Sequence, residues 1–230
     1  MEHYYPANSF ARQLRAVYFF IKRRVLQYVT VLSAGAMIWG SVAMPAVAST
    51  PTLFGNAAIS NTGYGTGHSA RLSSSNSAPG YGGLDFSIPP GTTFEDVQTL
   101  SLDYNITDDD CKAGSPRFQI NVDTGKGIRN ILVYIGPEPK YTGCTQNTWK
   151  NTGNLLSSSK SVDTTQLAGG TFYDPYSAAV SKYGSMPVVG MQLMVDSGYA
   201  FPDNEETVLV DNVFINQTPY TFETKVSKDN

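Results

Sequence analysis

Apolar and polar residues alternate along several short stretches of the chain. Leu100, Leu102, Tyr104 and Ile106 fall on one face of an extended segment, and Ser, Asp and Asn fall on the other. Successive side chains of a strand point to opposite sides, so a period of two predicts strands with one buried and one solvated face. The same alternation, or a short apolar run, predicts further strands at residues 69–73, 84–88, 118–122, 130–135, 155–159, 188–195 and 207–216.

The segments between these strands are rich in Gly, Pro, Asn and Asp, which favour turns. Short strands joined by such turns predict an all-β fold, namely an antiparallel β-sandwich. The stretch 188–195 is apolar on both faces except at Gln192, which predicts a central strand. One short helix is predicted at residues 175–183, with Asp174 as its N-cap and Gly184 as the left-handed residue that follows it.

The N-terminal part of the chain has the pattern of an export signal. Basic residues cluster before residue 25, the stretch 25–47 carries no charge, and small residues occupy positions Ala46 and Ala48. Signal peptidase accepts only small side chains at these two positions before the cut, so this order predicts a secretory signal peptide at residues 1–48. The uncharged stretch is also long enough to span a bilayer, and an uncleaved N-terminal anchor is the alternative.

Residues 49–230 are predicted to form a single β-sandwich domain that is secreted or held at the cell surface. They carry 11 Lys and Arg against 18 Asp and Glu, a net charge of -7, whereas the whole chain has a net charge of -3. A negative charge of this size disfavours binding to nucleic acid or to anionic lipid. The composition therefore predicts no nucleic-acid partner, and contact with a membrane only through an N-terminal segment that stays uncleaved.

Both cysteines, Cys111 and Cys144, lie in this exported part. An oxidising compartment favours a disulfide between them. The bridge would close a loop of about 34 residues and stabilise the fold by roughly 3–4 kcal/mol in the chain-entropy description. Two buried free thiols are the alternative. With His68 as the single histidine after residue 48, the set is too small for the usual four-ligand zinc site.

Candidate catalytic residues are few. His68 stands at the start of a predicted strand, and no G-x-S-x-G turn supplies a nucleophile for it. Glycoside hydrolysis requires only two carboxylates. Asp103, Asp196 and the pair at 205–206 are candidates, but no spacing places two of them on one strand face. We therefore expect a non-catalytic protein, with a carboxylate-dependent glycan hydrolase or lyase as an alternative.

Aromatic residues concentrate in loop-like sequence in the second half of the chain. A sugar ring presents an apolar C–H face that matches a flat aromatic side chain, and nearby polar groups bind its hydroxyls. Trp149, Tyr141 and Tyr173, with Asn147 beside the tryptophan, are therefore predicted to bind a glycan or another cell-envelope polymer. The alternative for Trp149 is structural, with its ring covering the core next to Cys144.

Two segments resemble strands at the two ends of a known fold. Residues 67–72 (Gly-His-Ser-Ala-Arg-Leu) resemble an early strand of exported galactose-binding-domain-like sandwiches, and residues 210–215 (Val-Asp-Asn-Val-Phe-Ile) resemble their last strand. This jelly-roll β-sandwich is the fold of many carbohydrate-binding modules. The resemblance covers about residues 50–217, and it implies a jelly-roll topology and carbohydrate binding.

The same resemblance implies a structural calcium ion. In these modules the aspartate of the last strand is often a ligand, which makes Asp211 a candidate with Asn61 or Asn56 as its partner. Calcium takes six to eight oxygen ligands, which carboxylates and loop carbonyls supply. The segment around Asn56 lacks the acidic residue that these modules usually carry in the first strand. The alternative is that Asp211 caps a turn or pairs with Arg71.

The sequence thus predicts a secreted or surface-associated, non-catalytic module that binds carbohydrate or cell-envelope material. A structural cell-surface or matrix subunit without a small ligand is an alternative from a different class. A screen against glycans separates the two, because only the first requires a ligand site.

Overall fold

The computed structural model describes residues 50–65, 67–201 and 205–223. These residues form an antiparallel β-sandwich of jelly-roll type, as predicted, with one α-helix and two short 3-10 helices. The strands in chain order are β1 (Thr52–Gly55), β2 (Ala57–Ser60), β3 (Ser69–Ser75), β4 (Gly82–Phe86), β5 (Leu100–Asp108), β6 (Arg117–Asp123), β7 (Ile128–Tyr134), β8 (Lys150–Asn151), β9 (Ser161–Val162), β10 (Asp174–Pro175), β11 (Val188–Val195), β12 (Glu205–Ile215) and β13 (Thr218–Tyr220).

Two sheets face each other across the core. One has five strands in the order β1-β4-β11-β6-β7, and the other contains β2-β3-β12-β5-β8 with β13 paired to β12. Strands β9 and β10 form a separate two-stranded ribbon, and the pairs within all three sheets are antiparallel. The central strand predicted at 188–195 is confirmed, because β11 has the same bounds and lies in the middle of the five strands.

The alternation in the sequence produces the core. The even-numbered residues of β5 from Leu100 to Ile106 are buried, and so are Phe118, Ile120 and Val122 of β6. The solvated face predicted for β5 is wrong at Asp103 and Asn105, which are also buried; amides of Asn151 and Asn212 cover the Asp103 carboxylate. With apolar residues of β4, β11 and β12 they form one continuous cluster between the sheets. Removing this surface from water is the dominant favourable contribution to folding.

The predicted helix forms, but its ends are made differently. Helix α1 spans Tyr176–Tyr183, and Pro175 rather than Asp174 takes the N-cap position. The Asp174 carboxylate instead accepts hydrogen bonds from Lys182 Nζ at 2.7 and 3.0 Å. Gly184 is right-handed, with φ of -53°, so the prediction of a left-handed residue is wrong. Glycine suits this position because a Cβ would lie 2.5 Å from a carbonyl oxygen of the preceding helical turn.

The predicted strand at residues 155–159 is also wrong, because the chain forms turns there. Oδ1 of Asn154 accepts hydrogen bonds from the N–H groups of Leu156 (2.9 Å) and Leu100 (3.2 Å). Side-chain bonds of this kind to the local backbone compete with the hydrogen bonds of a strand ladder. Leu155 and Leu156 are nevertheless buried, so the apolar run marks contact with the core and not a strand.

The predicted signal peptide at residues 1–48, with its cleavage residues Ala46 and Ala48, lies outside the described residues. Among the helices in the described ranges, none combines the length and the apolar composition that crossing a bilayer requires. Secretion or surface location therefore stays a prediction.

Candidate functional site

A disulfide anchors the loop that carries several of the predicted ligand-binding residues. Cys111 and Cys144 are bonded to each other, as predicted, with their Cα atoms 5.5 Å apart. The carboxylate of Asp110 accepts hydrogen bonds from the N–H groups of Cys144 (2.5 Å) and Gly143 (2.9 Å). These contacts fix the loop against the segment that follows β5.

Asp110 and the two cysteines are also close enough together to suggest a metal site. In the described part of the chain they are the one group of three such side chains whose potential ligand atoms lie within 4.8 Å of one another. Metals bind the thiolate form of cysteine. Because both sulfur atoms belong to the disulfide, this group is not a metal site.

Four aromatic rings form a row beside the disulfide loop, which we call the tyrosine ladder: Tyr134, Tyr141, Tyr173 and Phe172. Neighbouring ring centroids are 5.5, 6.2 and 6.4 Å apart in that order, and the planes of Tyr141 and Tyr173 are stacked at 18°. Tyr141 is 8% exposed, whereas Tyr173 and Phe172 are 55% and 61% exposed. The ladder therefore runs from the protein interior to an aromatic surface that faces solvent.

Two carboxylates hold the inner rings of the ladder. The Tyr134 hydroxyl donates a hydrogen bond to Asp163, and the Tyr141 hydroxyl donates to Glu138 at 3.1 Å. Burial, together with these carboxylates, raises the pKa of both tyrosines above the usual value. Lys160 binds the other oxygen of Glu138 at 3.0 Å. The inner rings are thus neutral hydrogen-bond donors in fixed positions, and they support the exposed rings.

Two cavities flank the ladder near the edge where β7 of one sheet and β8 of the other come together. The first, of about 270 Å³, lies between these strands, and the second, of about 340 Å³, lies beside the exposed end of the ladder. Neither cavity is lined by an Asp or a Glu among the described residues. Besides the ladder itself, the long polar and charged side chains that line them are Tyr104, Lys150, Asn151 and Lys160 in the first and Lys140 in the second.

Trp149 and Asn147 do not join the ladder. Trp149 is half-buried, and its ring meets that of Tyr64 edge-on, with centroids 5.8 Å apart. The N–H of Asn147 donates to a backbone oxygen of β5 at 2.7 Å, and its side chain is exposed in a turn. Within the described ranges no ring contact links Trp149 to Tyr141. The structure thus brings Tyr141 and Tyr173 together and leaves the other two candidates in the segment that precedes β8.

Several residues of this site were not predicted from the sequence. Tyr104 and Tyr134 lie in strands, where the alternation marks them only as positions on a face. Lys140 and Lys150 belong to no sequence motif that would indicate a binding role. Their shared position at the meeting of two edge strands depends on the order of strands in the sheets, which the alternation does not specify.

The calcium candidate Asp211 is buried, and both of its oxygens have partners. They accept hydrogen bonds from the N–H groups of Tyr64 (2.9 Å) and Asn212 (2.7 Å). Asp211 thus caps backbone N–H groups, as the alternative to calcium binding predicted. Burial is the main reason why the pKa of this carboxyl is raised, and the charges of nearby carboxylates raise it further. The two hydrogen bonds act in the opposite direction and lower it. Asn61 is exposed in a bend. Because no group of three His, Cys or acidic side chains surrounds Asp211 in the described ranges, a calcium ion would depend on backbone and amide oxygens, and it stays a prediction.

Two carboxylates considered for catalysis have close polar partners. Asp103 accepts hydrogen bonds from the side-chain amides of Asn151 and Asn212, each at 2.9 Å. Asp196 forms a two-pronged ion pair with Arg117, at 2.6 and 2.7 Å. Both carboxylates are thus held by neighbouring side chains, and neither lines the two cavities beside the ladder.

Glu206 of β12 has the most unusual electrostatic environment among the candidate carboxylates. It is fully buried, and removal from water is the main reason why its pKa rises to about 7. The charge of Asp196 acts in the same direction. Hydrogen bonds from the Ser115 hydroxyl (2.8 and 2.9 Å) and the Ser197 N–H (3.3 Å) act against it. Its burial keeps Glu206 out of reach of any polymer at the surface.

Comparison with known proteins gives a distant likeness to solved structures. No protein-family model and no curated protein sequence matches the chain. The chain is similar to the family 11 carbohydrate-binding module of the cellulosomal cellulase Lic26A-Cel5E of Clostridium thermocellum, with a TM-score of 0.43, 14% identity, and coverage of 77% of this chain and 91% of the module. It is also similar to an exo-beta-agarase, with a TM-score of 0.35 and 16% identity over 79% of this chain, and it spans 25% of that enzyme. At these scores the likeness decides neither the site nor the function.

Proposed function

We propose that this protein is a non-catalytic carbohydrate-binding module that is secreted or held at the cell surface. The observation that carries the proposal is the tyrosine ladder, in which the exposed rings of Tyr173 and Phe172 continue a row of buried rings. Contiguous aromatic surface exposed on a folded protein marks an interaction site. Flanking cavities with polar walls suit a ligand that is apolar on one face and hydroxylated at its edge.

The ladder matches the chemistry of a sugar ring. The C–H face of a pyranose packs on a flat aromatic ring, and Tyr173 offers such a ring to solvent. Asn151 and Lys150 in the first cavity supply donors for hydroxyl groups. Because Tyr141 stacks beneath Tyr173 and is itself held by Glu138, less freedom is lost when a ligand binds.

Titration of the full chain with a panel of soluble polysaccharides tests this proposal. Calorimetry or affinity electrophoresis should detect binding to at least one of them. Tyr173→Ala should weaken that binding about tenfold, the effect of losing roughly 1.4 kcal/mol of ring contact. Tyr81→Ala is the matched control, since Tyr81 is also a surface tyrosine, 43% exposed, and its ring contacts Phe54 and not the ladder.

Three results would contradict the proposal in different ways. Binding that both variants retain would place the glycan site away from the ladder. Binding to no polysaccharide, together with ordered self-assembly, would favour the structural cell-surface or matrix subunit. Hydrolysis or cleavage of a bound polysaccharide that disappears in Asp103→Asn or Asp196→Asn would instead show an enzyme.

A further inference from the structure

Lysines line the two cavities beside the tyrosine ladder, although the molecule is acidic and the carboxylates of Asp163 and Glu138 bind the inner rings. Residues 49–230 carry a net charge of -7. The two cavities beside the ladder are nevertheless lined by Lys140, Lys150 and Lys160, and by no Asp or Glu among the described residues. Only nine Lys and Arg fall in the described ranges, so a third of them line these cavities. The positive charge is therefore concentrated where the proposed ligand binds.

The three lysines differ in whether their charge is already compensated. Lys160 forms an ion pair with Glu138 at 3.0 Å, and the same carboxylate accepts a hydrogen bond from the Tyr141 hydroxyl. Lys140 and Lys150 are exposed, and no carboxylate in the described ranges lies within ion-pair distance of either. Each of them lines one of the two cavities, and the inner rings Tyr134 and Tyr141 line both cavities. Lys140 and Lys150 are thus positive charges available to a ligand.

From this distribution we infer that the ligand is an anionic glycan, whose carboxylate or sulfate groups pair with Lys140 and Lys150 while its sugar rings pack on the ladder. This inference rests on the proposed function and specifies its substrate class. A neutral glycan can only accept hydrogen bonds from these two ammonium groups, whereas an anionic glycan also forms ion pairs with them, and a polyanion approaching an acidic protein needs a local positive region. Exposed charges act over about 8 Å at physiological ionic strength, so the lysines nearest the ligand decide the outcome.

Pairs of polysaccharides that share a backbone and differ in charge test the inference with the full chain. Polygalacturonate is compared with its full methyl ester, and dextran sulfate with dextran, so that carboxylate and sulfate are separate arms. The charged member of at least one pair should bind more tightly at 20 mM NaCl, and the difference should shrink at 500 mM NaCl as salt screens the charges. Polyglutamate, an anion without sugar rings, should bind much more weakly than that member.

Charge-removing variants locate the effect. The double variant Lys140→Gln and Lys150→Gln should weaken binding of the charged glycan by about fivefold or more, in line with exposed ion pairs. It should weaken binding of a neutral glycan much less, because Gln keeps N–H donors for hydroxyl groups. The matched control is Lys126→Gln with Arg129→Gln, which removes the same charge from exposed positions around the β6–β7 turn. Thermal unfolding of each double variant confirms that the fold is retained.

The possible failures are distinguishable. If charged and neutral partners bind equally while Tyr173→Ala still weakens binding, the module binds glycans and the anionic specificity is wrong. If polyglutamate binds as tightly as the best glycan, or if the control double variant loses as much affinity as the lysine pair, general charge attraction replaces the inference. If no glycan of either charge binds, the proposed function fails and the inference fails with it.

Discussion

Tyr141 and Tyr173 have the same side chain, but their surroundings give them different tasks. Tyr141 is buried and its hydroxyl is bound by Glu138, so its ring cannot turn away. Tyr173 stacks on it and presents more than half of its surface to solvent. A rigid ring beneath an exposed ring gives a flat binding surface that a lone surface tyrosine lacks.

Glu206 shows the opposite arrangement, a charged group enclosed by the fold. Its folded-state pKa of about 7 lies above the ordinary value of 4.5, because ionisation in the buried site is unfavourable. Between these two values the folded protein binds more protons than the unfolded chain does. The contribution of Glu206 to stability is therefore full below about pH 4.5 and is lost as the pH rises through 7.

Replacing Glu206 by Gln should remove this pH dependence. Gln keeps the shape and can still pair with the Ser115 hydroxyl, but it carries no charge to bury. At pH 8 the variant should be more stable than the natural protein by roughly 1–3 kcal/mol, and near pH 4.5 this advantage should vanish. Urea unfolding across this pH range measures the difference.

An exposed glutamate provides the control for this prediction. Glu95→Gln makes the same change at an exposed position, and its effect should be small at every pH. A Glu206→Gln variant that is less stable than the natural protein at pH 8 would show that the buried carboxylate is favourable when ionised.

At the scale of elements, prediction succeeded where residue pattern alone decides the structure. Strand β6 buries alternate residues, and a period of two is sufficient to find it. The apolar run predicts β11, and β5 follows the alternation although it also buries Asp103 and Asn105. The two-residue strands β8, β9 and β10 are too short to show any period. The turns at 155–159 depend on the hydrogen bond that the Asn154 side chain accepts from the N–H of Leu156, and the hydrophobic pattern does not reveal it.

The loop that carries the exposed rings depends on one glycine. Hydrogen bonds between Thr164 and Thr171 close this loop. A Cβ at Gly170 would lie 1.7 Å from the backbone oxygen of Thr164. Gly170→Ala should therefore cost about 1–3 kcal/mol of stability. Since Phe172 lies only two residues further along the chain, the variant should also lose glycan affinity, which denaturation and binding assays measure together.

Gly169 provides a comparison on the same loop. No atom lies within 4 Å of a Cβ there, but the residue is left-handed, with φ of 75°. Gly169→Ala should cost only about 1 kcal/mol, and it should bind glycan as the natural protein does. If the two variants lose affinity equally, the close contact at Gly170 is not what positions the exposed rings.

The disulfide is the covalent support of the same region. Replacing Cys111 and Cys144 together by Ser should lower the free energy of unfolding by about 3–4 kcal/mol, because the unfolded chain regains the freedom of the open loop. Urea unfolding with and without reductant checks this, since reductant should destabilise the natural protein and leave the double variant unchanged. A double variant as stable as the natural protein would show that the loop is fixed by Asp110 alone.

At the scale of the molecule, two sheets bring distant parts of the chain to one edge. Tyr134 belongs to an outer strand of one sheet and Lys150 to an outer strand of the other, and they line the same cavity. The sequence predicted two layers and an aromatic ligand site, and it named Tyr141 and Tyr173. It grouped them with Trp149 because of proximity along the chain, whereas the fold places that ring against Tyr64.

The most direct test of the account is nuclear magnetic resonance of an oligosaccharide that the full chain binds. Sugar ring protons stacked on an aromatic side chain shift upfield and receive magnetisation from it. We predict both effects with the natural protein and with Trp149→Ala, and their loss with Tyr173→Ala. Effects that persist in Tyr173→Ala but vanish in Trp149→Ala would contradict the account, because the ligand would then lie on the ring beside Tyr64.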